Sequence, residues 1–150
     1  METMKLSTKA RYGTRALLDL ALHRSTAPVL LKHIAQRQDI SLAYLEHIVG
    51  PLVAAGIIRS SRGARGGVTL ARSARDIRLS EVVEALEGPV NLVECAANPR
   101  SCARSTSCAV KDVWADVTKA IEHTLSSLTL QDLADRQRVK SEGAEGTYQI

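Results

Sequence analysis

Phenylalanine is absent from this sequence of 150 residues, and aromatic residues together make up only 3% of it. Hydrophobic residues nevertheless reach 45%, so a core has to be built from leucine, isoleucine, valine and alanine. Such side chains favour packed helices over sheets rich in aromatic residues. The composition therefore predicts a mainly α fold in one small domain.

Long apolar runs are also missing from the sequence. No stretch approaches the roughly 20 apolar residues that a membrane-spanning helix requires, and nothing at the N-terminus resembles a secretory signal. We therefore expect a cytoplasmic protein without a membrane partner. No recognised arrangement of nucleophile, base and oxyanion-stabilising group is present either, so we do not expect an enzyme.

Cysteine is confined to one window, where Cys95, Cys102 and Cys108 follow a C-x6-C-x5-C spacing in a polar loop around Pro99. Buried free thiols are one interpretation. A disulfide framework is another, but three cysteines cannot all pair within one chain. Zinc is another, although it usually takes four Cys or His ligands at shorter paired spacings. Three thiolates at wide spacing are typical of an iron–sulfur cluster, which is the interpretation we favour.

Positive charge is concentrated in the N-terminal half of the chain. The net charge is +4, and the chain beyond Asp112 contains more acidic than basic residues. Residues 56–75, by contrast, contain no acidic residue and five arginines, namely Arg59, Arg62, Arg65, Arg72 and Arg75. This distribution predicts that the N-terminal half faces the phosphates of a nucleic acid.

Three helices are predicted in the N-terminal part. Ser7 is placed to cap a helix that runs to about His23, and a short helix follows over about 30–38. Ser41 is placed to cap the third helix, which Pro51 should bend or shorten. The second and third helices, joined by a tight turn, make a helix-turn-helix.

A strand pair is predicted next, over 56–60 and 68–71, with a glycine-bearing turn whose bulkiest side chains are Arg62 and Arg65. A helix-turn-helix followed by a basic hairpin is the winged-helix plan. In that plan the second helix reads base edges in the major groove and the wing arginines enter the minor groove.

The remaining chain predicts further helices. Ser80 is placed to cap a helix over Glu81–Glu87, and Thr129 begins a capping box for a last short helix. A longer amphipathic helix between them exceeds what the small core can cover, so we expect it to pack on its copy in a homodimer. The predicted organisation is a winged helix-turn-helix DNA-binding domain (4–88), a cysteine loop (89–109), a dimerisation helix with a short C-terminal helix (110–138) and a disordered tail (139–150).

The order of these motifs resembles the Rrf2 family of bacterial winged-helix transcriptional regulators, which includes IscR, NsrR, RirA and CymR. The resemblance covers almost everything from Met4 to about Arg136. It is carried by MKLSTKARYGTRALLDLA at the start, by HIAQRQDISLAYLEHIVGPLVAAGIIRSSRGARGG, by ALEGP at Ala85 and by the three-cysteine loop leading to Trp114. It implies a homodimeric transcription factor, with an iron–sulfur cluster in many members and differently used thiols in a few.

The resemblance also implies site residues. The cluster ligands match Cys95, Cys102 and Cys108. The DNA-reading face of the recognition helix matches Ser41, Ala43, Tyr44, Glu46 and His47. The wing arginine of the minor groove matches Arg62, with Arg65 as an additional charge.

The fourth cluster ligand departs from the family pattern. Some members have a histidine three residues after the third cysteine, where this chain has Lys111. Others use an acidic residue from the partner's first helix, where this chain has Arg11. The fourth position therefore stays open, and we expect a 4Fe-4S cluster rather than 2Fe-2S.

The expected function is that of a dimeric regulator, most simply a repressor, which binds a palindromic operator in double-stranded DNA. Its operator affinity would be controlled by an iron–sulfur cluster that senses iron, redox state or nitric oxide. One alternative is a cluster-free regulator that uses thiol oxidation or a protein partner to report sulfur supply. Another is an iron–sulfur carrier, which would leave the helix-turn-helix unexplained.

Overall fold

The structure is a computed structural model that describes residues 5–23, 27–62 and 67–146. The described part contains seven α-helices and one two-stranded sheet. In chain order these are α1 (Thr8–Leu22), α2 (Leu31–Gln38), α3 (Leu42–Ala54), β1 (Ile58–Ser61), β2 (Gly67–Leu70), α4 (Leu79–Glu87), α5 (Glu94–Ala97), α6 (Ala109–Ser127) and α7 (Leu130–Gly146). The predicted mainly helical fold with a β-hairpin is confirmed. None of the described helices combines the length and apolar character needed to cross a bilayer.

Helices α1 and α3 begin where the serine caps predict. The Ser7 hydroxyl accepts a hydrogen bond from the backbone N–H of Ala10, and the Ser41 hydroxyl accepts one from that of Tyr44. Between α2 and α3 the backbone turns at Asp39, whose φ of 51° is a left-handed conformation that aspartate tolerates better than most residues. The helix-turn-helix predicted from the sequence is therefore present.

Helix α1 is the central element of the core, because it packs against α2, α3, α4 and α7. Its Leu17 and Ala10 are almost completely buried. Gly13 allows close packing, since a Cβ atom at this position would lie 2.3 Å from Leu86 Cδ1 of α4 and 3.3 Å from Ile48 Cγ2 of α3. Leucine, isoleucine, valine and alanine account for all the buried hydrophobic residues described, as the composition predicts.

The hairpin is extended by the segment that precedes α2. Strands β1 and β2 pair antiparallel, with Ile58 opposite Leu70 and Ser61 opposite Gly67. Val29 then pairs with Val68 on the other edge of β2, through two backbone hydrogen bonds of 2.9 and 2.8 Å. This pairing attaches the wing to the helix-turn-helix.

Two local predictions differ from the structure. Pro51 does not shorten α3, which continues to Ala54 because the inner face of the helix is held in the core by Ile48 and Leu52. Ser80 does not cap α4, since the helix already begins at Leu79. The Glu81 carboxylate instead accepts a hydrogen bond of 2.9 Å from the backbone N–H of Arg78, the residue before the helix.

The C-terminal helix is longer than predicted. The capping box at Thr129 is confirmed, because its hydroxyl accepts from the Asp132 backbone N–H and its own N–H donates to the Asp132 carboxylate. The sequence predicts a disordered tail over 139–150, but α7 runs to Gly146, and residues 147–150 lie outside the described part. A helix whose first turns are anchored by buried residues gains one hydrogen bond per added residue, which explains the extension.

Gly67 is the glycine whose replacement should damage the wing. Its φ is 150°, and a Cβ atom would lie 2.3 Å from the carbonyl oxygen of Val29. We expect Gly67→Ala to lower the free energy of unfolding by about 2 kcal/mol or more, through backbone strain and loss of the Val29 pairing. Gly50→Ala is the matched control, because nothing lies within 4 Å of that Cβ position in α3. Urea denaturation of both variants checks the prediction, and equal stabilities would contradict it.

Candidate nucleic-acid interface and cysteine loop

A buried carboxylate connects the first two helices. Asp19 of α1 has no solvent exposure. Arg37 of α2 donates from Nε to Asp19 Oδ1 at 3.0 Å and from Nη2 to Oδ2 at 2.6 Å. Gln38 Nε2 donates to Asp19 Oδ1 at 3.1 Å. The end of α2, and with it the turn that leads into α3, is therefore held to α1.

Opposing effects act on the pKa of Asp19. Burial alone raises the pKa, because it disfavours the charged carboxylate. Hydrogen bonds from Arg37 and Gln38, together with the electrostatic effects of Arg37 and His23, outweigh burial and hold the pKa below the usual aspartate value. Asp19 is therefore a carboxylate at neutral pH, as the bidentate contact with Arg37 requires.

Helix α3 presents the predicted DNA-reading residues on one side of the domain. Its inner face is buried through Leu45, Ile48 and Leu52. The predicted contact residues Ser41, Ala43, Glu46 and His47 are exposed, and Tyr44 is half-buried. The Ser41 hydroxyl also serves as the helix cap, so its remaining capacity for DNA is mainly as a donor.

Tyr44 has neighbours that the sequence does not predict. Its ring meets the Tyr12 ring of α1 edge to face, with centroids 5.7 Å apart and an interplanar angle of 85°. The guanidinium carbons of Arg11 and Arg15 lie 5.7 and 5.5 Å from the Tyr12 centroid. The only sequence signal was the placement of two arginines around a tyrosine in one helix, and it does not reveal which helix they face.

The arginines between 56 and 75 are not equivalent. Arg59 and Arg62 are exposed on and just after β1, whereas Arg65 lies outside the described residues. Arg72 serves the fold instead, because it donates to the carbonyl oxygens of Gly56 and Asp76 and pairs with Glu81 at 2.8 Å. The hydrogen bond from Arg72 is the main reason that the pKa of Glu81 is lowered.

The three cysteines lie in one connected segment between α4 and α6. Cys95 is in α5 and is partly buried, Cys102 is exposed, and Cys108 is the partly buried residue that precedes α6. Among residues 5–23, 27–62 and 67–146, no group of three or more His, Cys, Asp or Glu side chains is arranged to hold a metal ion. The three thiols therefore lie in one loop, but in this conformation of the loop they do not form one coordination site.

Hydrogen bonds within the loop define this arrangement. The buried Ser105 donates from its hydroxyl to the carbonyl oxygen of Pro99 at 2.6 Å. Lys111 Nζ donates to the carbonyl oxygen of Ser105, also at 2.6 Å. A protonated lysine amine cannot ligate a metal, so the position that supplies a histidine in some relatives here supports the loop backbone.

The donor chemistry of the loop fits a cluster in kind, although the geometry is not assembled. Thiolates are the ligands that iron–sulfur clusters require, and three are available within 14 positions of the chain, from Cys95 to Cys108. Holding a cluster would therefore require the segment between Cys95 and Cys108 to rearrange.

Helix α6 exposes an apolar stripe to solvent in the single chain. Val110, Val113, Trp114 and Val117 are spaced by three or four residues, and Val110 and Trp114 are 63% and 43% exposed. No residue of α6 is buried. A stripe of this kind on a solvent-exposed helix is typical of a contact surface.

A helix-turn-helix with an exposed second helix, followed by a basic hairpin, defines a winged-helix DNA-binding regulator. The chain belongs to the Rrf2 family, since the family model described as an iron-dependent transcriptional regulator matches residues 6–136. The resemblance noted from the motifs is therefore confirmed.

Known relatives agree with this assignment. Protein rrf2 of Nitratidesulfovibrio vulgaris is 47% identical over 130 residues, which cover 87% of each chain. The transcriptional regulator IscR of Vibrio atlanticus is 38% identical over 130 residues, 87% of this chain and 75% of that one. Because the family consists of transcriptional regulators, the protein is not an enzyme, as expected.

Solved structures show the same fold. CymR, the global cysteine regulator of B. subtilis, matches with a TM-score of 0.76 and 36% identity, over 89% of this chain and 98% of that chain. T. potens IscR matches with a TM-score of 0.72 and 40% identity, over 89% of this chain and 88% of that one. The winged helix-turn-helix class predicted from the sequence is confirmed.

The Asp19 network should make stability depend on pH. We expect Asp19→Asn to lower the free energy of unfolding at pH 7 by about 2–4 kcal/mol, because it breaks a buried ion pair whose arginine is partly exposed. Since the folded pKa is depressed, this stabilisation is complete above the unfolded pKa of about 3.9 and is lost as pH falls through the folded value. The difference between variant and wild type should therefore shrink in acid.

Denaturation at several pH values measures this difference. Asp135→Asn is the control, because Asp135 forms an exposed ion pair with Arg138 at 3.1 Å and should contribute less than about 1 kcal/mol. A difference for Asp19→Asn that stays the same from pH 7 to pH 2 would contradict the argument.

Proposed function

We propose that this protein is a homodimeric operator-binding repressor whose DNA affinity is controlled by an iron–sulfur cluster held by Cys95, Cys102 and Cys108. The observation that carries the proposal is the position of the cysteine loop. Cys108 is the residue from which α6 begins, and α6 carries the exposed apolar stripe. A change at the thiols is therefore adjacent to the surface that would join two copies.

The recognition residues are proposed to act in the major groove. Ser41, Ala43, Tyr44, Glu46 and His47 lie on or beside the solvent-facing side of α3. Hydroxyl groups can donate to phosphates or base edges, and the Glu46 carboxylate can accept from a cytosine amino group. Arg62 follows β1 and is proposed to enter the minor groove, and Arg65, three positions further along the chain, is proposed to add positive charge for DNA.

A second copy of the chain is the proposed occupant of the α6 stripe. An operator read by two equivalent helices is palindromic, with half-sites about 34 Å apart or a multiple of that distance. The spacing between the two α3 helices would depend on how the two α6 helices pack. The dimer contact is thus the element through which the cysteine loop can alter DNA affinity.

A bound cluster would supply iron that responds to oxygen, nitric oxide or iron supply, with 4Fe-4S proposed ahead of 2Fe-2S. The chain itself contributes three thiolates and a loop held by Ser105 and Lys111. Gathering the thiols requires this loop to rearrange, and the rearrangement reaches Cys108 and the first turn of α6. Ligand binding and helix position are coupled in this way.

A cluster-free thiol regulator is the second candidate, and specific observations favour it. The loop forms its own hydrogen bonds without gathering the thiols, Cys102 is exposed to oxidants, and Lys111 occupies a position where some relatives have a ligand. The structural likeness to CymR, a global cysteine regulator, supports a role for this protein in responding to sulfur supply. An iron–sulfur carrier gains no support, because it leaves the exposed recognition helix without a use.

Purification without oxygen tests the cluster directly. We expect wild-type protein to contain iron and acid-labile sulfide in about equal amounts and to absorb visible light, and Cys102→Ala to lose all three properties. Loaded wild-type protein should also bind a selected duplex operator with an affinity different from that of Cys102→Ala. Ser107→Ala, an exposed change in the same loop, is the control. Colourless wild-type protein that binds the operator tightly would favour the thiol regulator instead.

The proposed dimer surface predicts the effect of Trp114→Glu. A central aromatic residue at an interface typically contributes about 2 kcal/mol or more, so the dimer dissociation constant should rise at least about 30-fold. Val139→Glu is the control, because Val139 is 70% exposed on α7 and lies outside the stripe. Sedimentation equilibrium measures both constants. If Trp114→Glu remained as dimeric as the control, another surface would join the two copies.

A further inference from the structure

Tyr44 is held by a neighbour that belongs to another helix. It lies in the first turn of α3, and its ring meets the Tyr12 ring of α1 edge to face at 5.7 Å. Both rings are half-buried against the hydrophobic core. An edge-to-face pair at this distance is a favourable aromatic geometry. Tyr12 therefore restricts the orientation of the one aromatic side chain on the proposed DNA-reading face.

The Tyr12 ring is itself fixed from two sides. Ala10 and Gly13, its neighbours in α1, are buried in the core. Arg11 and Arg15 place their guanidinium carbons 5.7 and 5.5 Å from the ring centroid, within cation–π range. The Arg15 guanidinium also donates to the carbonyl oxygen of Gln38, the last residue of α2. Helix α1 thus contacts both ends of the turn between α2 and α3.

The Tyr44 hydroxyl is available for a ligand. In the part of the chain that is described, no hydrogen bond of this hydroxyl is found, and no buried side-chain polar atom lacks a partner. The hydroxyl group is therefore accessible to solvent while the ring is packed. The Tyr44 hydroxyl can both donate and accept a hydrogen bond, so it is suited to recognising a base edge or a phosphate. Because the ring is already ordered, less conformational freedom is lost on binding than for a freely rotating side chain.

From this arrangement we infer that Tyr12 is a positioning residue for sequence recognition, which orients Tyr44 without contacting DNA. The inference rests on the proposed role of α3 in reading the operator. It adds that α1 contributes to specificity through one aromatic contact. Loss of the contact should lower the affinity for the operator more than the affinity for unrelated DNA, because the base-edge contact inferred for Tyr44 is specific to the operator, whereas the phosphate contacts of other side chains form on either duplex.

The test is a double-mutant cycle on a duplex operator selected in vitro with wild-type protein, with an unrelated duplex of equal length for comparison. Tyr12→Leu keeps apolar volume but removes the ring, and we expect it to lower the operator affinity about 2- to 10-fold, which corresponds to the strength of an aromatic pair. Tyr12→Phe keeps the ring pair and should bind like wild type. In a Tyr44→Ala background, Tyr12→Leu should have no further effect.

Other outcomes separate the two proposals. A wild-type protein that prefers no duplex over the unrelated one would contradict the proposed function itself. A wild-type protein that binds its operator specifically, with independent effects of Tyr12→Leu and Tyr44→Ala, would overturn the positioning role alone. Equal losses on both duplexes would also overturn it, since they would indicate a general effect on the fold.

A measurement on wild-type protein keeps the inference testable if Tyr12→Leu does not fold. Nuclear Overhauser contacts between the ring protons of Tyr12 and Tyr44 should be present in the free protein and should persist in the operator complex. Their absence from the complex would overturn the inference, because Tyr44 would then read DNA from a different orientation.

Discussion

The contact between Asp19 and Arg37 is the interaction on which the rest of the structure depends. Asp19 lies in the core without solvent exposure, where an unpaired carboxylate would be costly. Arg37 and Gln38 satisfy it only when the end of α2 lies against α1. The left-handed turn at Asp39 then directs the chain into α3. The buried charge thus holds in place the turn from which α3 begins.

Helix α1 connects α3 with α4 and α7. Its Gly13 permits close packing with α3 and α4, and Tyr12 touches the recognition helix. Helix α7 packs on α1 as well, and Thr129, just before α7, pairs with Arg78 just before α4. Because these elements share one helix, a displacement of the C-terminal helices can reach α3 through packed side chains. Contiguous packing of this kind is a physical route for the coupling proposed between the cysteine loop and DNA binding.

Much of the fold and part of the site could be predicted from local signals. Ser7, Ser41 and Thr129 act within three residues of themselves, so their capping roles are visible in the sequence. The extent of α7 and the capping of α4 could not be predicted in this way. The first depends on the buried start of that helix. The second is also a contact over three residues, but the Glu81 carboxylate that makes it is held by Arg72, nine positions away in the chain.

The sequence by itself determined the helical composition, the helix-turn-helix, the basic hairpin and the family, because each of these depends on spacing and order along the chain. Only the tertiary structure decided which side chains meet across helices. In the folded chain Tyr12 lies beside Tyr44, and Arg72 forms an ion pair with Glu81. Lys111 donates a hydrogen bond to the backbone of the cysteine loop. The physical reason is that residues far apart in the chain acquire their partners only when the core packs, since packing alone sets the angles and distances between helices.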